Sequence, residues 1–286
     1  MDGFKIIECP RDAMQGISAW IPTEEKIEYL NLLLEVGFDT LDFGSFVSPR
    51  AIPQMRDTAE VLAGLNKTGK TRFLAIVVNE RGAEQAIAFE SIDQLGYPLS
   101  ISETFQQRNS KKSIPESLNE VEQIQKICNQ NNKELVVYIS MGFGNPYGDT
   151  FSTDHLLEFV KIVKALGVSI ISISDTVGIA ESEQITSVLK SVVEHNNDIE
   201  IGAHLHSSPQ NAEARVKAVI DSGVRRMDGA LGGFGGCPFA EDKLTGNIPT
   251  EAILSGLRKH GIEVDVDNTA LSRAIKKSNY LFSRYS

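Results

Sequence analysis

Short β-rich segments and amphipathic helical stretches alternate eight times along this chain, and that alternation restricts the fold more than any single residue does. The β-rich segments are residues 4–9, 40–45, 72–78, 99–103, 134–140, 170–176, 200–207 and 225–231. Between them, apolar residues recur at helical spacing. Over 24–38, Ile27, Leu30, Leu34 and Phe38 fall on one face and Gly37 supplies a stop. Pro115 opens a helix over 115–130, and a helix over 153–167 starts at a cap, Ser152 or Thr153, and closes on Gly167. Such alternation predicts parallel strands joined by helical crossovers. Eight units in about 250 residues match a (β/α)8 barrel, the TIM barrel. An open doubly wound sheet is the alternative. It usually carries a Gly-rich turn after its first strand, and Cys9-Pro10-Arg11-Asp12 is not that turn.

No low-complexity tract, Pro- or Ser-rich linker or charge block divides the chain. One domain is expected over 1–286, with the barrel over about 4–262 and a short C-terminal helical extension over about 263–286. The 28 basic and 38 acidic side chains leave a net charge of −10. That balance argues against nucleic acid or an anionic membrane as a partner, and demands local positive charge wherever an anionic ligand binds. No apolar run approaches the ~20 residues of a membrane helix. Asp2 and Lys5 stand where a signal peptide would be apolar, and Cys9, Cys128 and Cys237 cannot make a disulfide framework. A reduced, cytoplasmic protein is expected, and a homodimer is the default assembly.

In a barrel of this kind the chemistry belongs at the C-terminal ends of the strands. Arg11-Asp12 follows strand one, Asp42 ends strand two, Asp175 ends strand six and His204-Leu205-His206 lies on strand seven. Residues two apart on a strand share a face, so His204 and His206 project together into the barrel mouth. A single histidine would read as a buried hydrogen-bonding group. Two side by side repel when protonated, and a cation is their natural occupant. With Asp12 they form an N2O set suited to Mn, Fe, Zn or hydrated Mg. Arg11 reads as an anion stabiliser aimed where negative oxygen develops. Asp42 and Asp175 are further carboxylates of the ring, with orienting Arg11 or capping a helix as their plainer roles. The Gly-rich stretch 232–247 follows strand eight. Its Cys237, in a loop and near a cation and an arginine, is a candidate acid/base. Cys9 and Cys128 read as packing residues.

Together these residues resemble the hydroxymethylglutaryl-CoA lyase family, within the metal-dependent barrels that make or break carbon–carbon bonds by Claisen-type chemistry. The resemblance is carried by ECPRDAMQ, by SFVSP followed by IPQM, by SDTVG, by HLHS and by GGFGGCPFAEDKLTGN, spread from residue 8 to about 251. It implies a divalent cation, Mg2+ or Mn2+, on Asp12, His204, His206 and Asn247. It also implies Arg11 at the enolate oxygen, and Cys237 in acid/base transfer with Asp175 assisting. The implied substrate is an acyl-CoA, 3-hydroxy-3-methylglutaryl-CoA, split into acetyl-CoA and acetoacetate, with leucine degradation as the implied pathway. Asp42 stands where the family usually has glutamate, which predicts a looser grip on Arg11. A lysine stretch that would meet the coenzyme A phosphates is replaced by Gly16-Ile17-Ser18-Ala19-Trp20, and Asn145 replaces a frequent cysteine. The chain also ends at Ser286, short of the family's longer C-terminal segment. A Claisen synthase, an oxo-acid aldolase and a non-catalytic binding barrel are the competing readings.

Overall fold

The β-rich segments become strands that pair in chain order until the last closes on the first. The computed structural model describes residues 3–67, 69–236 and 245–286. Its strands are β1 (Lys5–Glu8), β2 (Thr40–Ser45), β3 (Arg72–Ile76), β4 (Gln94–Ser100), β5 (Glu134–Ser140), β6 (Ile170–Asp175), β7 (Glu200–Ser207), β8 (Arg226–Gly229) and β9 (Gly246–Asn247). The first eight are all parallel. Pairing of β1 with both β2 and β8, and of β6 with β7, closes the sheet into a barrel. β9 is a short addition antiparallel to β7, with Asn247 opposite His206. The helices are α1 (Pro10–Gln15), α2 (Thr23–Val36), α3 (Thr58–Ala63), α4 (Glu80–Ile87), α5 (Glu103–Ser110), α6 (Ile114–Gln130), α7 (Thr153–Ala165), α8 (Ser182–His195), α9 (Ala212–Asp221), α10 (Thr250–Lys259) and α11 (Asn268–Tyr285). The fold is the (β/α)8 barrel with a C-terminal helix.

Local signals set the helix ends. Ser113 and Glu116 form a reciprocal capping box on α6, Ser152 caps α7, and Gly37 ends α2 in the left-handed conformation. Two expectations shift. The buried face of α2 is Tyr29, Leu30, Leu33 and Val36 with Lys26, while Ile27 and Leu34 are only half-buried. The fourth strand runs from Gln94 to Ser100 rather than over 99–103; Ser102 instead caps α5. Gly96 and Pro98 look like breakers in the sequence, but each has a place. A Cβ at Gly96 would come within 2.6 Å of Ile76 Cδ1 and 3.1 Å of Tyr138 Cε2. Pro98 lies beyond Gly96, where the ladder to β3 ends, and removes no rung on that side.

The parallel registers order the inward positions into rows. A lower row holds Lys5, Arg226, Gly202, Ser172 and Tyr138; the next row towards the strand C-termini holds Ile7, Asp228, His204 and Ser174. Leu74, Ile76, Val136, Tyr138 and Ile170 pack as a cluster of their own, separate from the large core between barrel and helices. The barrel interior is thus apolar at β3 and at the N-terminal ends of β5 and β6, and polar at Lys5, Ser172, Ser174, His204, Arg226 and Asp228. In β2 a bulge between Asp42 and Gly44 sets Asp42 beside Leu74 and Ser45 beside Ile76, so residues three apart share the inward face. Gly44 is required there, because a Cβ would meet Thr58 Cγ2 at 2.6 Å.

Outside the barrel, Glu8 ties the chain after β8 to α10. Its carboxylate oxygens accept from Leu231 N–H (2.8 Å) and Thr250 Oγ1 (2.5 Å). Burial pushes Glu8 from 4.5 up to about 8 against the lowering effect of those two hydrogen bonds. Between these values the native state binds the proton and the unfolded chain releases it, so stability falls as pH rises through that window. Glu8→Gln keeps an acceptor for Leu231 and offers a donor to Thr250. It is expected to raise the melting temperature at pH 9 by roughly 4 °C or more and to change it little at pH 5. Equal shifts at the two pH values would rule out ionisation as the cause.

The terminal helix α11 clamps the same region. Phe282 stacks on Phe234 with ring centroids 4.1 Å apart and meets Tyr29 edge-on at 6.5 Å. No helix among the described residues is long and apolar enough to cross a membrane.

Candidate active site

Pro10 starts α1 at the very end of β1, which puts Arg11 and Asp12 in its first turn at the barrel mouth. A cavity of about 470 Å3 opens there. Arg11, Asp12, Asp42, His204, His206 and Asp228 line its floor, and Arg108 and Lys111 lie at its edge. Arg11 is 8% exposed. Its Nε donates to both Asp42 oxygens (3.2 and 3.1 Å) and its Nη2 to Oδ2 at 2.6 Å. Its Nη1 donates to Asp12 Oδ1 (3.0 Å) and Gln15 Oε1 (2.9 Å). The shorter Asp42 therefore grips the guanidinium with both oxygens, contrary to the expected loosening. Among the described residues, one Nη2 hydrogen of Arg11 has no acceptor.

The two imidazoles converge as their spacing predicts. Their Nε2 atoms face each other at 3.3 Å. His204 Nδ1 is held by Asp228 Oδ2 at 3.0 Å and His206 Nδ1 by the Thr176 carbonyl at 2.9 Å. Each ring is thus fixed through Nδ1, leaving Nε2 as the atom that could coordinate a cation, the outer support that metal-bound histidines use. Asp12 supplies a carboxylate oxygen within 4.8 Å of the two ring nitrogens. Asn247 Nδ2 donates to Asp12 Oδ2 (2.8 Å) and to the Phe234 carbonyl (2.9 Å), so its Oδ1 is the end that could hold a cation. Burial alone would raise the Asp12 carboxyl, but Arg11, His204 and His206 outweigh it and hold it at about 2. Burial, then the neighbouring His204, lowers His206 to about 4. An ionised carboxylate and a neutral His206 are states that cation binding needs; burial would lower His204 too, but Asp228 and Asp12 outweigh it and raise it, so a cation there displaces a proton. The donors fit a divalent cation that takes mixed N and O ligands.

A second group, Cys9, His204 and Asp228, also lies within 4.8 Å. It fits less well. Burial and the carboxylates around it raise the Cys9 thiol well above its ordinary range, and His204 Nδ1 is already committed to Asp228. Cys9 and Cys128 are buried, in line with packing roles.

Asp175 stands apart from Arg11. Its oxygens accept from Ile179 N–H (3.1 Å), Ala180 N–H (3.0 Å) and Arg215 Nη1 (3.0 Å). Arg215 also holds the carbonyls of His206 and Gly178. The carboxylate therefore acts behind His206, fixing its backbone. Cys237 lies outside the described residues. Gly235 packs on Asn247 and Asp12: a Cβ there would come within 2.7 Å of Asn247 Nδ2 and 2.9 Å of the Asp12 carbonyl. Asn145, in place of the frequent cysteine, organises its own turn by accepting from Tyr147 and Asp149 N–H. The segment lacking the lysine is pinned instead by Gln54, which bonds Ile17, Ala19 and Ile21. Trp20 sits between Lys26 and Arg56.

Sequence reasoning did not single out Gln15, Asp228 or Arg215. Gln15 was within reach of it, since i+3 from Asp12 and i+4 from Arg11 is one helical face. Asp228 and Arg215 carry no such local signal.

Barrel and site together define a class: a (β/α)8 barrel with a candidate metal centre and a fixed guanidinium where its strands end. The HMGL-like family model matches residues 4–277, and the chain belongs to that family. It is 32% identical over 267 residues to hydroxymethylglutaryl-CoA lyase YngG of Bacillus subtilis (strain 168), covering 93% of this chain and 89% of that one. It is 31% identical over 264 residues to the cytoplasmic 3-hydroxy-3-methylglutaryl-CoA lyase of Rattus norvegicus, covering 92% and 76%. An HMG-CoA lyase from Acinetobacter baumannii, solved with coenzyme A and 3-methylmalate, superposes with a TM-score of 0.90 at 29% identity, covering 98% of this chain and 92% of that one.

Proposed function

We propose that this enzyme cleaves 3-hydroxy-3-methylglutaryl-CoA, or a close 3-hydroxyacyl-CoA analogue, to acetyl-CoA and acetoacetate. The observation that carries the reading is the meeting of Asp12, His204 and His206 beside Arg11 on the floor of one cavity, with Asn247 hydrogen-bonded to Asp12. Those four residues would hold Mg2+ or Mn2+, which supplies a Lewis acid that lowers the pKa of the substrate's tertiary hydroxyl.

The chain's own groups do the rest. Asp42 lines the cavity, and burial opposed by Arg11 sets it at about 6. A carboxylate in that range can take the hydroxyl proton at neutral pH and return it. The adjacent carbon–carbon bond then breaks and its electron pair moves into the thioester as an enolate. Arg11, clamped by Asp42, Asp12 and Gln15, presents its remaining Nη2 hydrogen to that oxygen without reorganising. Cys237 is assigned the protonation of the enolate carbon. Cys237 follows Gly235 by two residues in the sequence, and Gly235 packs on Asp12 and Asn247. Asp175 contributes through Arg215 by holding His206. Arg108 and Lys111 at the cavity edge provide the local positive charge that coenzyme A phosphates need in so acidic a chain. A single catalytic domain, a homodimer in the cytoplasm and a place in leucine degradation complete the proposal.

A coupled assay for acetyl-CoA and acetoacetate tests it. Both products are expected with Mn2+, neither with a chelator, and Cys237→Ala is expected to lower kcat by roughly 10²–10⁴-fold. Metal-replete protein that releases no acetoacetate overturns the reading. Coenzyme A release from acetyl-CoA plus a 2-oxo acid would favour a Claisen synthase instead.

A further inference from the structure

Below His204 the barrel is polar in a way the reaction does not use. In the lower row, Arg226 Nε and Nη2, Ser172 Oγ and Tyr138 Oη have no hydrogen-bond partner. In the row above, neither do Asp228 Oδ1 and Ser174 Oγ. All five residues are at least nine-tenths buried: Arg226 and Asp228 1% exposed, Ser172 0%, Ser174 3% and Tyr138 8%. Native interiors do not leave so many donors and acceptors unpaired in one place; ordered water supplies the partners. The site is also built to admit the largest of these groups. A Cβ at Gly202 would stand 3.0 Å from Arg226 Cδ and 3.2 Å from Cγ, so glycine there makes room for the arginine.

Charge explains why an arginine is placed there. Arg226 Nη1 donates to Glu200 Oε1 (3.1 Å), but Lys5 already pairs with Glu200 Oε2 (2.5 Å). The second cation of the floor therefore balances Asp228, two residues on along β8 and on the same inward face. Asp228 in turn accepts from His204 Nδ1.

We propose that Arg226 is a positioning residue for the metal centre. Water held between its free N–H groups and Asp228 Oδ1 fixes the side chain of Asp228 in the position that orients His204. This rests on the cation site proposed above, and it goes beyond it by assigning affinity to a residue that touches neither cation nor substrate. Partners of this outer kind typically change metal affinity 10–100-fold.

The test is Mn2+ titration of the full chain by electron paramagnetic resonance without substrate, beside thermal melting in chelator. Arg226→Met, which keeps an unbranched stem and removes the guanidinium, is expected to weaken Mn2+ binding about 10-fold. KM at saturating metal stays near wild type, and the melting temperature in chelator is expected to fall because Glu200 and Asp228 lose a buried cation. Arg226→Lys is expected to recover most of the affinity. An unchanged Mn2+ affinity in Arg226→Met overturns the inference, whether or not the melting temperature falls. A high-resolution crystal structure with no ordered water between Arg226 and Asp228 overturns it as well. If the wild-type chain itself binds no Mn2+, the metal reading fails first and this inference with it.

Discussion

Arg11→Met is expected to lower kcat by about 10³-fold or more while KM and Mn2+ affinity change only a few-fold. A loss of that size follows from removing a buried cation placed to meet charge that exists only in the transition state, since single oxyanion donors are worth about 10²–10³ in kcat. The guanidinium is already fixed by Asp42, Asp12 and Gln15, so it reorganises little as the enolate forms. Arg11→Lys is expected to rescue poorly, because an ammonium cannot span both Asp42 oxygens and still reach the substrate. Breaking a buried pair usually destabilises by about 3–5 kcal/mol. Here the loss should fall below that, because burial already holds Asp42 at about 6 and the carboxyl can take a proton once Arg11 is gone. A parallel rise in KM with kcat unchanged would show that Arg11 serves ground-state binding instead.

His206→Ala is expected to weaken Mn2+ binding at least 100-fold and to abolish turnover at ordinary metal concentrations. In the proposed centre the ring is one of two imidazole ligands, and its loss would leave Asp12 and Asn247 with a single nitrogen. It also leaves the Thr176 carbonyl without its partner, a local cost of about 1–3 kcal/mol that lowers the melting temperature in chelator as well. Separating the two effects is straightforward: excess Mn2+ should raise the wild-type melting temperature and leave that of His206→Ala unmoved. Equal Mn2+ affinities for the two proteins would remove His206 from the centre.

The two imidazoles illustrate what local pattern can reveal. A period of two on a strand is enough to put His204 and His206 on one face, and the structure brings their Nε2 atoms to 3.3 Å. Asp42 shows the limit. Alternation along β2 would pair it with Gly44; a bulge, readable only against β3, turns Asp42 and Ser45 inward together. The fourth strand, Gln94–Ser100, is hidden from local pattern for a similar reason. Gly96 and Pro98 act as breakers in isolation, yet a neighbouring tyrosine needs the first and the end of a ladder tolerates the second.

Asp175 makes the same point about function. Its place at a strand end marks it for the mouth, but the carboxylate is taken up by Arg215 and two backbone amides, forty residues and a few residues away in the chain. Period, caps and strand–helix alternation are properties of neighbours along the chain, so they were written in the amino-acid order: the barrel, the side of it that carries chemistry, and the histidine pair. Which carboxylate clamps Arg11, which orients His204, and which only braces a backbone depends on strands brought together from across the chain. Registers, bulges and burial fix those pairings, and they exist only once the sheet has closed.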